Sequence, residues 1–204
     1  HDGIPVLDLK GNMLGGTYRP GLLSDELIDE TVQRIMDRGG LTKNLYDADG
    51  KKIDYYQVNA TFFSALGEDE QKLLLARAIQ MFMPGVPQVW YLDLFAGTND
   101  YEAAHRGRTA GHKEINRTTL TMEDVESGLR RPIVKNQIEL IRLRNTSPAF
   151  TGNLKVLDAD RNQLNLCWEH PEETLILKSN LRDHDFVIYK GDENNILMKF
   201  ERGS

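Results

Sequence analysis

Three short stretches of the sequence carry side chains whose types and spacing suit catalysis or ligand binding. The first, His1-Asp2-Gly3-Ile4, sets an imidazole beside a carboxylate at the predicted end of a β-strand. The second, Tyr55-Tyr56-Gln57-Val58-Asn59, could be an aromatic and amide platform for a sugar ring or could pack at the foot of a loop. The third is Lys113-Glu114-Ile115-Asn116-Arg117. The His-Asp pair could be catalytic, or simply two polar residues at the end of a strand.

The third stretch ends a region in which basic side chains are concentrated in an otherwise acidic chain. The region contains His105, Arg106, Arg108, His112, Lys113 and Arg117, interrupted by Glu114. It is either a solvated loop with local ion pairs or a site for an anion or a polyol, because arginine offers a planar fork of donors. We expect no metal site, since the histidines follow no HxxxH spacing and no CxxC pair occurs.

The composition is that of an ordinary globular protein. The chain has 204 residues, of which 40% are hydrophobic and 27% charged, with a formal net charge of −6. The acidic balance argues against a nucleic-acid partner, and no apolar run approaches the roughly 20 residues that a membrane helix needs. The single cysteine, Cys167, cannot form an internal disulfide, so we expect a cytoplasmic protein.

The first half of the chain predicts alternating strands and helices. An apolar strand is expected at residues 4–9, and a helix from Ser24 to Gly39, with Ile28, Val32 and Ile35 on one face. A long polar loop is predicted at 41–53, a second helix at 68–83 with Met81 and Met83 as core filler, and a buried strand at 86–92. The order of strand, helix and strand suggests a parallel sheet with ligands at its carboxyl edge.

The second half predicts a change of architecture. Residues 99–121 show little periodicity and are expected to form a long loop, after which helices are predicted from Thr121 and from Pro132. Beyond Pro148, residues alternate between apolar and polar in short runs separated by Asn, Asp and Gly turns. We therefore expect a small antiparallel β domain from residue 151 to the end.

A series of short motifs runs in order through residues 1–150. After His1-Asp2-Gly3-Ile4 come Tyr56-Gln57-Val58-Asn59, Phe63-Ser64-Ala65-Leu66-Gly67, Ala76-Arg77-Ala78-Ile79-Gln80, Pro84-Gly85-Val86-Pro87-Gln88-Val89, Gly97-Thr98-Asn99-Asp100 and Ile115-Asn116-Arg117. Together they resemble the sucrose phosphorylase group of the α-amylase superfamily, in which a His-Asp pair ends the seventh strand of the barrel. The β domain matches that group by position and type only.

The resemblance implies an α/β fold, the C-terminal part of a (β/α)8 TIM barrel followed by a small antiparallel β domain. Residues 1–150 would be the barrel portion and residues 151–204 the β domain. Because the chain starts at His1 without an initiator Met, we expect it to be the downstream part of a longer enzyme. The aspartate nucleophile and the glutamate acid/base of the family would lie upstream of residue 1, and the isolated fragment would be inactive.

The activity implied is glucosyl transfer by double displacement with retention, from sucrose or a related small α-glucoside to inorganic phosphate. Asp2 would be the transition-state stabiliser, and His1 and Arg117 would bind the glucosyl unit. Asp54, Tyr55, Tyr56 and Gln57 match a mobile loop that alternates between contacting the leaving sugar and admitting phosphate. No cofactor is implied beyond phosphate as co-substrate.

Two departures from the group's pattern leave the acceptor open. The stretch from Asp47 to Lys52 is polar where the group is richer in small residues, and Thr118 stands where a histidine is common. Relatives acting on sucrose 6-phosphate, glucosylglycerol or glucosylglycerate, and a retaining α-glucosidase or transglucosidase, therefore remain alternatives. The charges at Lys51, Lys52, Arg106 and Arg108 would suit an anionic or highly polar acceptor. Expected partners are the sugar, phosphate and the rest of the barrel, with a homodimer left open.

Overall fold

The computed structural model describes residues 3–6, 9–46, 48–50 and 52–201; for 12, 45–46, 52–56 and 109–110 it describes the backbone alone. The chain divides into two compact units. The first unit comprises the described residues of 1–68 and 90–123, and the second those of 69–89 and 124–204. The predicted boundary between residues 150 and 151 stays a prediction.

The first unit contains two small antiparallel sheets. Its strands are β1 (Ile4–Pro5), β2 (Asn12–Leu14), β3 (Thr17–Arg19), β4 (Leu41–Tyr46) and β5 (Lys52–Asn59). The larger sheet has the order β1-β5-β4, with Ile4 opposite Val58 and Leu41 opposite Asn59, and β2 pairs with β3. Strand β5 is therefore the centre of the larger sheet and carries the Gln57-Val58-Asn59 stretch.

Helix α1 (Asp25–Asp37) packs an apolar face in this unit. The Oγ of Ser24 accepts a hydrogen bond from the amide of Leu27 at 3.3 Å and so caps the helix, as predicted. The predicted face of Ile28, Val32 and Ile35 is buried. These side chains cluster with Val6, Val58, Ala60 and Ala65. This cluster is thus built from small and β-branched residues.

Shorter helical segments complete the first unit. They are α2 (Phe62–Ala65), α4 (Tyr91–Leu94), α5 (Tyr101–Arg106) and a 3-10 helix over Arg108–Asn116. Helix α3 (Glu70–Phe82) belongs to the second unit, and α6 (Met122–Gly128) crosses the boundary between the units in sequence. None of the helices in the described ranges is long and apolar enough to span a bilayer.

The second unit combines helices with a five-stranded antiparallel sheet. Helix α7 (Pro132–Thr146) packs on α3, and a 3-10 turn at Pro148–Thr151 leads into the sheet. The strands are β6 (Asn153–Leu157), β7 (Gln163–His170), β8 (Glu173–Asn180), β9 (Asp185–Lys190) and β10 (Ile196–Phe200), paired in sequence order. The predicted β domain and the predicted helix from Pro132 are confirmed, and Cys167 lies buried in β7.

Three sequence-based expectations are wrong. Residues 41–46 and 52–53 lie in the paired strands β4 and β5 rather than in a loop, because backbone pairing of two strands needs no apolar run. Residues 86–92 are not a strand: Val86 is 92% exposed, and Tyr91 starts the helical turn α4. The segment 99–121 is not a loop, since it contains α5 and the 3-10 helix.

Two smaller expectations also differ. Met81 is 2% exposed, as expected for core filler, but Met83 is 37% exposed. All strand pairs among the described residues are antiparallel, so the expected parallel pairing is not found in this part of the chain.

Candidate functional site

The central strand β5 presents a pair of buried amides. Gln57 is 7% exposed and Asn59 is fully buried. The Nε2 of Gln57 donates to the Oδ1 of Asn59 at 3.0 Å. A Gln and an Asn two residues apart lie on the same face of a strand, so the two amides form one polar patch on β5.

The edge strand β1 brings the beginning of the chain to this patch. Pro5 lies opposite Gln57, and Gly3 has a left-handed φ of +115°. A Cβ at Gly3 would lie 2.6 Å from the Oδ1 of Asn59, so the backbone approaches the amide more closely than a side chain allows. His1 and Asp2, which precede Gly3, lie outside the described residues.

The third predicted stretch lies against the same strands. The 3-10 helix over Arg108–Asn116 contacts β4 and β5, and Arg117 follows directly after it. Gly3 therefore lies against the Gln57 to Asn59 patch, and the 3-10 helix that precedes Arg117 contacts the strand that carries this patch. Asp54, Tyr55 and Tyr56 contribute their backbone to β5, while their side chains lie outside the described part.

Arg117 lines an open cleft of about 610 Å³. Its side chain is 31% exposed, and its Nη1 lies 3.4 Å from the Oε1 of Glu114. Asp100, Arg106, Gly107, Thr118 and Thr119 also line the cleft. A half-buried guanidinium beside carboxylates and hydroxyls can donate to a polyol or to an anion.

The basic region does not form a single site. Arg106 and Arg117 line the cleft just described, whereas His105, Arg108 and His112 line a second cleft of about 530 Å³. Arg106 also lies 3.5 Å from Glu102 in a solvent-exposed ion pair. Arg106 therefore forms a surface ion pair, as in the first explanation, while the anion or polyol site at Arg117 stays a prediction. Among the described residues, no three His, Cys, Asp or Glu side chains are grouped as metal ligands.

Comparison with known proteins decides the family. Over 188 residues, 92% of this chain, the sequence is 57% identical to sucrose 6(F)-phosphate phosphorylase of Ilumatobacter coccineus. It is 41% identical over 169 residues to sucrose phosphorylase of Agrobacterium vitis. The chain belongs to the sucrose phosphorylase family. No family model matches it.

A solved structure of a sucrose phosphorylase relative confirms the predicted fold class. The crystal structure of sucrose 6F-phosphate phosphorylase from Thermoanaerobacter thermosaccharolyticum matches 98% of this chain with a TM-score of 0.81 at 32% identity. The chain is the C-terminal part of a (β/α)8 barrel followed by an antiparallel β domain. It spans about 39% of that solved chain and 35% of the Ilumatobacter protein.

Sequence reasoning missed two polar side chains that bind distant backbone groups in the first unit. The Oδ1 of Asn99 accepts from the amide of Thr61 at 2.8 Å, and the Oδ1 of Asp93 accepts from the amide of Phe62, also at 2.8 Å. Asn99 occurs in one of the motifs by which the sequence resembles the family, but nothing in its spacing indicated which backbone group it would bind. Such contacts join residues more than 30 positions apart and leave no periodic pattern.

Proposed function

We propose that the full-length protein is a retaining glucoside phosphorylase that transfers a glucosyl unit from a small α-glucoside to inorganic phosphate, giving α-glucose 1-phosphate. The observation that carries the proposal is the 57% identity to a sucrose 6(F)-phosphate phosphorylase across 92% of this chain. We propose sucrose 6-phosphate as the first glucoside to test and sucrose as the second, because the identity to the sucrose phosphorylase of A. vitis is 41%.

The proposed reaction has two displacements. A carboxylate attacks the anomeric carbon while a carboxylic acid protonates the leaving oxygen, and the glucosyl unit becomes covalently bound to the enzyme. Phosphate then attacks the anomeric carbon and releases the carboxylate. The product keeps the anomeric configuration of the glucoside. We assign the nucleophile and the acid/base to residues of the full-length protein outside these 204, which by themselves are expected to be inactive.

Residues of this chain are assigned to binding and stabilisation. Asp2 would stabilise the oxocarbenium-like transition state, and His1 would donate to hydroxyls of the same glucosyl unit. Arg117 would hold the far side of the ring, which its half-buried position in an open cleft supports. Asp54, Tyr55, Tyr56 and Gln57 would contact the leaving sugar or phosphate. Of these, Gln57 lies buried beside Asn59, which supports a fixed rather than a mobile amide.

The test is phosphate dependence in the full-length protein. Sucrose, sucrose 6-phosphate, glucosylglycerol and glucosylglycerate are each incubated with and without phosphate, and glucose 1-phosphate and free glucose are measured. We expect glucose 1-phosphate only with phosphate, and a loss of about 10²–10³-fold in kcat for Asp2→Asn. The exposed Asp25→Asn, at the start of α1, is the matched control and should retain activity.

The competing function is hydrolysis by an enzyme of the same superfamily. Free glucose released at the same rate with and without phosphate would contradict the phosphorylase proposal and favour an α-glucosidase.

We also propose the cytoplasm as the compartment, supported by the buried free thiol of Cys167. The boundary between barrel portion and β domain is proposed at residues 150 and 151.

A further inference from the structure

Two consecutive aromatic side chains hold the backbone on either side of Arg117. The indole Nε1 of Trp90 donates to the carbonyl oxygen of Asn116 at 3.0 Å. The hydroxyl of Tyr91 donates to the carbonyl oxygen of Thr118 at 2.6 Å. The residues before and after Arg117 are therefore each fixed by a side-chain donor 26 or 27 positions earlier in the sequence.

Asp100 adds two more anchors to the same segment. Its amide donates to the carbonyl oxygen of Ile115 at 2.8 Å, and its Oδ2 accepts from the Oγ1 of Thr118 at 3.2 Å. The carbonyls of residues 115, 116 and 118 thus each have a partner from a distant part of the first unit. This segment is attached along its length, although it follows a 3-10 helix whose last carbonyls lack regular helical partners.

The two donors belong to a fixed aromatic pair. The rings of Trp90 and Tyr91 lie with centroids 4.5 Å apart at 55°. Burial raises the pKa of the Tyr91 phenol above its usual value, so the hydroxyl keeps its proton and remains a donor near neutral pH. A rigid aromatic side chain with two rotatable bonds loses little entropy when it makes such a bond, in contrast to a long flexible donor.

Arg117 needs this support because its own side chain is long and about a third exposed. An arginine side chain carries about 2 kcal/mol of rotamer entropy, and fixing its backbone limits where the guanidinium can reach. Misplacement of a substrate-binding group by about 1 Å can cost about 10²-fold in rate. Glu114, 3.4 Å away, restrains the guanidinium end, while the aromatic pair restrains the backbone end.

We propose that Trp90 and Tyr91 are positioning residues for Arg117, and that they act on the glucosyl-transfer reaction by fixing the two peptide carbonyls that flank it. This inference rests on the proposed function, in which Arg117 binds the glucosyl unit. It differs from a purely structural role for the aromatic pair, in which loss of a hydrogen bond would lower stability without acting through Arg117.

The test is a double-mutant cycle in the full-length protein. Tyr91→Phe removes one hydroxyl and keeps the ring, and Arg117→Ala removes the guanidinium. With glucose 1-phosphate formation as the readout, we expect Tyr91→Phe to lower kcat/KM for the glucoside about 5–20-fold. In the Arg117→Ala background the same substitution should change kcat/KM less than about 2-fold. Trp90→Phe removes the donor to the carbonyl of Asn116 and should change kcat/KM in the two arginine backgrounds in the same way as Tyr91→Phe.

The control is Tyr189→Phe, which removes a phenol hydroxyl from β9 in the second unit and should leave kcat/KM unchanged. Melting temperatures are compared for all variants, and if Tyr91→Phe unfolds, the cycle with Trp90→Phe decides. Equal losses in both arginine backgrounds would overturn the positioning role. If the wild-type protein forms glucose 1-phosphate and Arg117→Ala does so at the same rate, the positioning role is also overturned, while the phosphorylase function stands. Absence of glucose 1-phosphate from the wild-type protein with every glucoside tested would overturn both.

Discussion

The two units of the molecule are stabilised in different ways. In the first unit, polar side chains bind backbone groups that are distant in sequence, and the helical segments after α1 are short. In the second unit, five strands pair in sequence order and bury large apolar side chains. The first unit carries the predicted site residues, so the candidate site lies in the part of the chain that depends most on individual polar contacts.

Among the described residues, buried polar side chains are more numerous in the first unit than in the second. Those of the first unit are Gln57, Asn59, Thr61, Ser64, Asp93, Asn99 and Asn116. The side chain of Asn99 binds Thr61, and the backbone amide of Asn99 donates to the Oγ of Ser64 at 3.1 Å. Because a buried polar group is costly unless it is hydrogen-bonded, these contacts specify one arrangement of short segments.

The second unit is dominated by apolar packing. Leu175, Leu177, Phe186 and Ile188 alternate inward from β8 and β9 and are at most 1% exposed. Phe150 packs edge-on against Phe82 and Trp168, with centroids 5.2 and 5.8 Å away. Polar contacts occur here as well, since the Trp168 Nε1 donates to the Phe82 carbonyl at 2.8 Å, but they add to an apolar core rather than replace it.

The largest expected effect is the loss of an aromatic ring from the core of the second unit. Phe186→Ala should lower the free energy of unfolding of the full-length protein by about 3–5 kcal/mol, because it removes buried apolar area and leaves a cavity. Phe62→Ala in the first unit is the matched control, since Phe62 is 50% exposed, and should cost less than about 1 kcal/mol. Urea denaturation measures the free energy of unfolding of both variants. Similar losses in the two variants would contradict the contrast between the units.

A smaller effect is expected from removing a polar contact in the first unit. Asn99→Ala leaves the buried amide of Thr61 without its 2.8 Å acceptor and should cost about 1–3 kcal/mol. Asn165→Ala in β7 is the control, since Asn165 is also 9% exposed but its Nδ2 reaches the Asp158 carbonyl only at 3.5 Å. Urea denaturation should show a smaller loss for Asn165→Ala. The reverse order would mean that the first unit does not depend on its polar contacts.

This contrast explains which elements the sequence could predict. Helix α1 was predictable because Ser24 caps it and its apolar residues recur at helical spacing. The strands of the second unit were predictable because apolar and polar residues alternate in them. The pair β4–β5 and helix α5 were not, because residues 41–53 contain no continuous apolar run and helix α5 has no buried residue.

The candidate site follows the same division. Gln57 and Arg117 could be proposed because short motifs around them resemble a known family, and the structure places both in the first unit. Trp90 and Tyr91 were assigned to a buried strand from their apolar character. Their roles depend on hydrogen bonds to carbonyls 26 and 27 residues away, for which no local pattern exists.

The smallest expected effect concerns acid sensitivity at Glu173 in β8. Hydrogen bonds from Lys190 and then Ser147 lower the pKa of this carboxyl below its usual value. The stabilisation is therefore fully present above the unfolded pKa of about 4.3 and is lost as the pH falls through the lower folded pKa.

Glu173→Gln should remove this acid-dependent loss and cost about 0.5–1 kcal/mol at neutral pH. Urea denaturation of the full-length protein at several pH values between neutrality and about pH 3 measures both changes, with Glu172→Gln at the exposed neighbouring position as the control. Since most of the second unit is held by apolar packing, which does not titrate, this one pair should account for only a small part of its stability. A loss as large as that of Phe186→Ala would show that the second unit also depends on charged contacts, and the contrast between the units would then fail.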